Sequence, residues 1–438
     1  MIQRPRGTRD LLPPETRLWQ AVERVAREVF GSLGGEEIRT PLFEATELFV
    51  RSVGEATDIV HKEMYTFPDR KGRSLTLRPE GTAGVARAWI ENSLGDRSHP
   101  LRLYYIGPMF RYERMQRGRY RQFAQIGLEI VGADTPLADA ELLAVMHEFF
   151  LRLGFDDLVI HLNNLGDPED RARYQEAIRA ALAPRRAELC ADCQRRWNEN
   201  PLRILDCKVP SCQQLAAEVP AIDEVAAGAS RNHVAEVEAQ LARLAVPYVR
   251  DRRLVRGLDY YLRTVFEVVS PKLGANTVLC GGGRYDRLIA DLGGPAIPGV
   301  GFAIGEDRLV EVLPATFRSA VLAQSRLYVV PLGSAAQQRV LELALGWIRE
   351  GVPVEVEVSG RSLKAALKRA DREGFRVVAM LGEDELQAGT VSVRDLTAGS
   401  QSSLAVAAVP QWWRELHAEV QAPDTSPTAP SGADPRSR

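Results

Sequence analysis

Residues 101–131 read LRLYYIGPMFRYERMQRGRYRQFAQIGLEIV, and the fold class follows from this stretch. Two strand-type runs, Arg102 to Tyr112 and Gln122 to Val131, flank a loop in which Arg111, Arg114, Arg117, Arg119 and Arg121 crowd within eleven residues. Two strands joined by a basic loop make a hairpin. Its base, where a strand anchors Arg111 and Glu113, suits a phosphate chain, and its tip arginines suit a second polyanion. A solvated charged turn is the competing reading of the same arginines.

Outward from the hairpin, helices are expected over Glu15 to Phe30 and Thr82 to Asn92, with more strand-type runs over Arg252 to Tyr261 and Thr264 to Val269. Strands broken by glycine-rich turns, without regular β-α-β alternation, favour an α+β domain: an antiparallel sheet flanked by helices. Asp167 to Leu244 is rich in Ala, Arg, Glu and Leu and reads as a helical insertion. Arg326 to Val409 alternates strand-like runs (Leu327 to Val330, Val352 to Val358, Arg376 to Leu381, Thr390 to Val393) with helices near Ala335 to Glu350 and Ser362 to Glu373. That pattern is a smaller C-terminal α/β domain. Gln421 to Arg438, mostly Pro, Ala, Ser, Thr, Asp and Gly, reads as a disordered tail.

Length agrees, since 438 residues suggest two or three domains at ~150 residues each. With 45% hydrophobic and 26% charged residues the chain has ample material for a core, and disorder throughout is excluded. Lys+Arg number 56 against 58 Asp+Glu, so nucleic-acid binding has to come from local clusters. The start, Met1 to Arg6, lacks the apolar run of a secretory signal, and no uncharged stretch approaches ~18 apolar residues. A cytoplasmic protein without a membrane partner is expected.

Four further segments carry chemistry. Arg256 to Glu267 places polar and aromatic groups on a strand-like run that would otherwise be apolar, which is how pockets are built. On a strand the adjacent Tyr260 and Tyr261 would point to opposite faces, so one enters a given cavity unless a bulge intervenes. Gly281 to Asp286 and Gly299 to Arg308 read as glycine-rich turns that let backbone approach a ligand. Arg308 falls at a helix start, where a cation is unfavourable unless an anion is near. Leu77 to Ala83 sets Glu80 just before a helix capped by Gly81 or Thr82, where it either binds a cation or compensates the helix dipole.

Together these strings resemble the class II aminoacyl-tRNA synthetases, and within them the histidyl-tRNA synthetase family, over nearly the whole chain. Arg6 to Asp10 is similar to that family's N-terminal signature, and Thr40-Pro41 within Ile38 to Phe43 to motif 1, which builds the dimer interface. Phe110 to Arg114 with Gly118 to Phe123 resembles motif 2, and Gly301 to Arg308 motif 3. Arg256 to Tyr261 and Gly282 to Asp286 resemble the two histidine-specific motifs, with Leu262 where the first usually has Asn, at a position given no catalytic role. The resemblance implies a class II catalytic domain over 1–320, an anticodon-binding domain over 326–418, and a homodimer. It also implies histidine–tRNA ligase activity on L-histidine, ATP with Mg²⁺, and tRNA(His).

By the same resemblance Arg256 and Arg111 are catalytic: Arg111 meets the α-phosphate and Arg256 offsets charge between substrate carboxylate and α-phosphate. Arg111, Glu113, Arg119 and Arg308 bind ATP, with Arg308 on the γ-phosphate. Glu80, Thr82, Gln125, Glu129, Tyr260 and Tyr261 bind histidine; Gln125 and Glu129 lie four apart on a strand and share a face. Gln116, Arg117 and Arg119 meet the acceptor end of tRNA, and Arg361, Lys364 and Lys368 its anticodon arm. From Arg361 to Arg376 six basic residues face two acids. Arg361, Lys364, Lys368 and Arg372 share one helical face, opposite Leu363, Ala366, Leu367 and Ala370. A solvated surface helix is the plainer reading of that pattern.

Five cysteines in so long a chain make no disulfide framework. Cys190, Cys193, Cys207 and Cys212 have the ligand number for a structural zinc. The wider second spacing and the family chemistry, which needs no such metal, favour free thiols instead. Cys280 reads as a packing residue near the pocket. An inactive regulatory paralogue of histidine biosynthesis would lack the C-terminal domain and the phosphate-contacting arginines. An RNA-binding adaptor would need no histidine pocket. Arg111, Arg256, Arg308 and the C-terminal domain are all present, which favours the enzyme.

Overall fold

Alternating side chains over 101–110 and 122–131 produce two ten-residue strands that pair antiparallel from Leu101 with Val131 to Phe110 with Gln122. The computed structural model describes residues 2–54, 57, 59–96, 100–114, 118–256, 258–270 and 278–421, which divide into two units at residues 318/319.

The first unit holds strands β1 (Glu36–Glu37), β2 (Phe43–Ala45), β3 (Tyr65–Pro68), β4 (Ser74–Leu77), β5 (Leu101–Phe110), β6 (Gln122–Val131), β7 (Val159–Asn164), β8 (Tyr248–Arg250), β9 (Leu262–Val269), β10 (Val278–Arg284) and β11 (Gly299–Gly305). Eight form one sheet in the order β1-β5-β6-β11-β10-β9-β7-β8, and β2-β4-β3 form a small second sheet. The central six strands run antiparallel, as expected, while the edges β1 with β5 and β7 with β8 are parallel pairs. One face is closed by the helices Glu15–Ser32 and Pro136–Arg152. Leu18, Val22, Ala26 and Val29 recur every three to four residues along the first helix and are buried. Phe30 ends that stripe with its ring 5.8 Å from Phe302 of β11 and 5.6 Å from Phe149. Each such phenyl ring, fully withdrawn from water, contributes about 1.5–3 kcal/mol. The helix Thr82–Glu91 and the insertion cover part of the opposite face, and the part left bare carries the candidate site.

Helices Pro168–Leu182, Ala191–Glu199, Pro210–Ala216, Ile222–Val225 and Gly228–Arg243 make the insertion, which leaves after β7 and returns at β8. Asp167 and Asp170 close its first helix with a reciprocal capping box. Apolar residues of the insertion, among them Leu189, Ile204 and Leu215, join Trp89, Tyr261 and Tyr285 in one continuous core.

The second unit pairs β12 (Gln324–Pro331), β13 (Val354–Val356), β14 (Phe375–Leu381), β15 (Thr390–Asp395) and β16 (Ser400–Ala405) in the order β13-β12-β14-β15-β16. The first three are parallel and the last two antiparallel additions. Helices Ser334–Arg349, Leu363–Arg372 and Val409–Gln421 complete it. No helix among the described residues is long and apolar enough to cross a membrane. The tail expected over 421–438 lies, beyond Gln421, outside the described residues.

Two expectations need correction. The glycine runs are not turns: Gly281, Gly282 and Gly283 lie within β10, and Gly299, Gly301 and Gly305 within β11, paired Gly283 with Gly301. A Cβ on Gly282 would strike the Gly301 carbonyl and one on Gly301 the Glu129 carboxylate, so these glycines let crowded strands meet. Nor is the run Arg252 to Tyr261 a strand; β9 begins at Leu262, after a turn.

Candidate active site

The bare face of the sheet opens into a cavity of about 480 Å³ lined by side chains from the hairpin, from β6 and β9 to β11, and from the turn before β9. Glu80, Thr82, Arg111, Glu113, Arg119, Gln125, Arg256, Tyr260, Tyr261 and Arg308 all line it. Eleven residues were expected in this pocket from the described part of the chain; Glu129 alone does not reach the lining. Gln116 and Arg117 lie outside the described residues.

At one end is the start of the helix Thr82–Glu91. The Glu80 carboxylate accepts hydrogen bonds from the backbone N–H groups of Thr82 (2.6 Å) and Ala83 (2.9 Å). Glu80 therefore compensates the helix terminus, one of its two sequence readings, and also faces the cavity. Burial raises its pKa, and the two amides oppose that rise. Thr82 donates its hydroxyl proton to Glu129 Oε1 at 2.7 Å, leaving its oxygen lone pairs for the cavity. Glu129 also receives the Tyr285 hydroxyl at 2.6 Å on Oε2. Burial, reinforced by the charge of Glu80, pushes Glu129 up to about 8 despite these two bonds. Glu129 thus stands one layer behind the wall and orients Thr82.

Both tyrosines reach the cavity. Because Tyr260 and Tyr261 occupy a turn rather than a strand, side-chain alternation does not separate them, and their rings stand 4.6 Å apart. Burial raises both hydroxyl pKa values, so both remain neutral hydrogen-bonding groups. Lining the same cavity, Gln125 keeps a buried Oε1 without a hydrogen-bond partner among the described residues. A buried carbonyl oxygen left open costs about 1–3 kcal/mol unless a ligand meets it.

The other end is cationic. Arg256 lies over the backbone of β10, where only the missing side chain of Gly281 makes room: a Cβ there would stand 2.5 Å from the guanidinium carbon. Burial disfavours the Arg256 charge, but the paired Glu267 more than restores it, leaving the pKa raised. Arg111 Nε donates to the Pro79 carbonyl at 2.8 Å and its guanidinium covers Phe123 at 5.4 Å, which fixes its direction. Glu113 lies 3.8 Å from Arg111 and 3.3 Å from Arg119. Arg308, third residue of the helix Glu306–Val312, donates to the Val278 carbonyl at 2.6 Å. Burial and then the charge of Arg119 lower its pKa, so two guanidinium groups repel across this end of the cavity. An anion between them would remove that repulsion.

Sequence reasoning missed several residues. Arg203, from the insertion, lines the cavity, and its neighbour Asn200 donates to Asp259 at 2.8 Å. In a segment dense with arginine no local pattern marks it. Arg9 bridges Glu15 at 2.8 Å and Asp307 at 3.0 Å, and Asp307 accepts the Ala124 N–H. The N-terminal signature thereby braces the helix that carries Arg308. Tyr285, quoted in a motif but given no role, holds Glu129.

In the second unit the helix Leu363–Arg372 buries Ala366 and Ala370 and exposes Lys364, Lys368 and Arg372. The basic face is weaker than the sequence count implies. Arg369 is tied to Glu355, Glu357 and Glu373, Arg361 to Glu357, and Arg376 to Asp395. Lys364 and Lys368 have no ion pair among the described residues.

Comparison with known proteins agrees with this geometry. Residues 7–309 match the family model described as histidyl-tRNA synthetase, and residues 326–416 the one described as anticodon binding domain. A histidine–tRNA ligase of Desulfitobacterium hafniense is 47% identical over 404 residues, covering 92% of this chain and 95% of that protein. One from Syntrophotalea carbinolica is 46% identical over 406 residues, covering 93% and 96%. The crystal structure of the apo histidyl-tRNA synthetase of S. aureus superposes with a TM-score of 0.76 at 36% identity, covering 94% of this chain and all of that one.

Proposed function

Since the chain belongs to the histidyl-tRNA synthetase family and is a histidine–tRNA ligase, we propose that its class II active site is the cavity on the bare sheet face, with histidine at the Glu80 end and ATP at the arginine end. The observation that carries this is the division of one cavity into a carboxylate and hydroxyl end and a guanidinium end. Histidine brings an ammonium group and a neutral imidazole with one donor and one acceptor. Glu80 offers a carboxylate to the ammonium group, while Thr82, Gln125, Tyr260 and Tyr261 offer donors and acceptors that reject isosteres lacking either function.

In the first step a carboxylate oxygen of histidine attacks the α-phosphorus of ATP and the bond to pyrophosphate breaks. Two anions meet, so the chain's work is to offset charge and hold the reacting atoms in line. Arg111 and Arg256 serve the α-phosphate and the carboxylate, and Arg308 with Arg119 serves the distal phosphates. The carboxylates Glu113 and Glu267 face the same cavity and fit the Mg²⁺ that accompanies ATP, which would add charge neutralisation there. In the second step the 3′-terminal ribose hydroxyl of tRNA(His) attacks the adenylate carbonyl and AMP leaves.

Arg119, which lines the cavity beside Gly118, suits the acceptor end of the tRNA, and Lys364 and Lys368 offer the second unit's charges to the anticodon arm. Exposed Leu42 and Phe43, 44% and 52% accessible within the motif 1 segment, suit a homodimer interface. The enzyme would act in the cytoplasm. Single-turnover formation of histidyl-adenylate tests the assignment. Arg256→Ala is expected to slow it roughly 10²–10³-fold with the fold intact, and a normal rate in that variant would remove Arg256 from the mechanism.

A further inference from the structure

The insertion gathers four cysteines that the aminoacylation chemistry does not use. Cys190 and Cys193 lie at the start of the helix Ala191–Glu199, Cys207 follows the tight turn Pro201–Ile204, and Cys212 lies in the helix Pro210–Ala216. Their sulfur atoms all lie within 4.8 Å of one another, Cys193, Cys207 and Cys212 are buried, and none is in a disulfide. Cys190 and Cys207 sulfurs are 3.9 Å apart. The five-residue step from Cys207 to Cys212, which in sequence weighs against a metal, does not keep the sulfurs apart in space.

We propose that Cys190, Cys193, Cys207 and Cys212 bind one structural zinc ion. Four thiolates about 2.3 Å from a tetrahedral Zn²⁺ stand about 3.8 Å from each other. The observed cage is of that size, needing contraction of no more than about an ångström at its widest. An iron–sulfur cluster, with sulfide and several iron atoms between the cysteines, needs a wider cage. Four sulfur ligands leave no open position for substrate or water, so the ion would be structural. The backbone N–H of Cys190 already donates to the Cys212 sulfur at 3.2 Å, an outer bond of the kind that steadies metal thiolates. Binding releases the thiol protons to solvent and changes no oxidation state.

The consequence reaches the active site. Cys193 and Cys207 bracket the segment carrying Asn200, which holds Asp259, and Arg203, which lines the cavity. The helices that carry Cys193 and Cys212 are nine and seven residues long, and short elements of that kind are commonly fastened by metal. A zinc ion would clamp both ends of this segment, making the cysteines positioning residues for Arg203.

The test is metal analysis of the full chain purified without chelator or added metal, followed by replacement with Co²⁺. About one zinc per chain is expected, with thiolate-to-cobalt charge transfer and tetrahedral d–d bands after replacement. Cys193→Ser and Cys212→Ser are expected to lose at least nine-tenths of the metal, and stripping wild type is expected to lower its melting temperature. If those variants fail to fold, Cys190→Ser, at the partly exposed corner, and the wild-type metal content decide. Metal-free protein with all five cysteines as reduced thiols and a melting temperature indifferent to zinc would overturn the proposal. So would a mass four hydrogens lighter, showing two disulfides, or iron in place of zinc. None of these readouts depends on aminoacylation, so they stand or fall separately from the assignment of the cavity.

Discussion

Gly281→Ala is expected to perturb catalysis through one methyl group. The added Cβ would lie 2.5 Å from Cζ and 2.6 Å from Nη1 of Arg256. An ordinary contact needs about 3.5–4.0 Å, so the guanidinium must retreat by about 1.0–1.5 Å. The backbone has no such freedom, because Gly281 pairs with Ala303 on one side and Glu267 on the other. The end of a long side chain yields at small cost to folding, and stability is expected to fall by no more than about 1 kcal/mol. Catalysis is less forgiving: a displacement of about 1 Å can cost about 10²-fold, or roughly 2.7 kcal/mol of transition-state stabilisation. Single-turnover adenylation at saturating histidine and ATP reads this directly, with a thermal melt as control. Wild-type adenylation by a folded Gly281→Ala protein would refute the account, since Arg256 would then need neither its position nor the space the glycine provides.

Glu129 gives a pH signature. The folded chain keeps a proton that the unfolded chain releases above pH 4.5, so this group makes stability decline as pH rises from 4.5 to about 8 and level off beyond. Glu129→Gln is expected to flatten that part of the profile in urea melts; an unchanged slope would place the titration elsewhere. Lys364→Glu with Lys368→Glu is expected to raise KM for tRNA at least tenfold and leave pyrophosphate exchange unchanged, and unaltered tRNA kinetics would clear that helix of contact. Leu42→Glu with Phe43→Glu is expected to shift the mass seen by light scattering from dimer towards monomer; an unshifted dimer would put the interface elsewhere.

The hairpin was legible because apolar residues alternate at Ile126, Leu128 and Ile130, and β6 spans the residues read from sequence, although it is buried on both faces from Gln125 to Val131. The helix at Glu15 was equally plain from its apolar stripe. What failed to show was long-range. Glycine carries no strand signal, so β10 and β11 were mistaken for turns; what demands glycine is Arg256, Phe266 and Glu129 crowding from other parts of the chain. Tyr260 and Tyr261 were assigned to a strand because aromatic runs favour one, whereas Asp259 is held by Asn200 from the insertion. The charge on the helix Leu363–Arg372 was overcounted because Glu355 and Glu357 come from outside the window. Glu129 is in the neighbourhood that the sequence indicates but stands behind the cavity wall, since its placement depends on Thr82 and Tyr285, distant in sequence.

The most direct measurement of the central claim is histidine-dependent exchange of labelled pyrophosphate into ATP by the purified chain, run with each amino acid in turn and without tRNA. The division of the cavity into a histidine end and an ATP end requires exchange with histidine alone. Exchange with another amino acid at a comparable rate, or none at all from demonstrably folded protein, would contradict it.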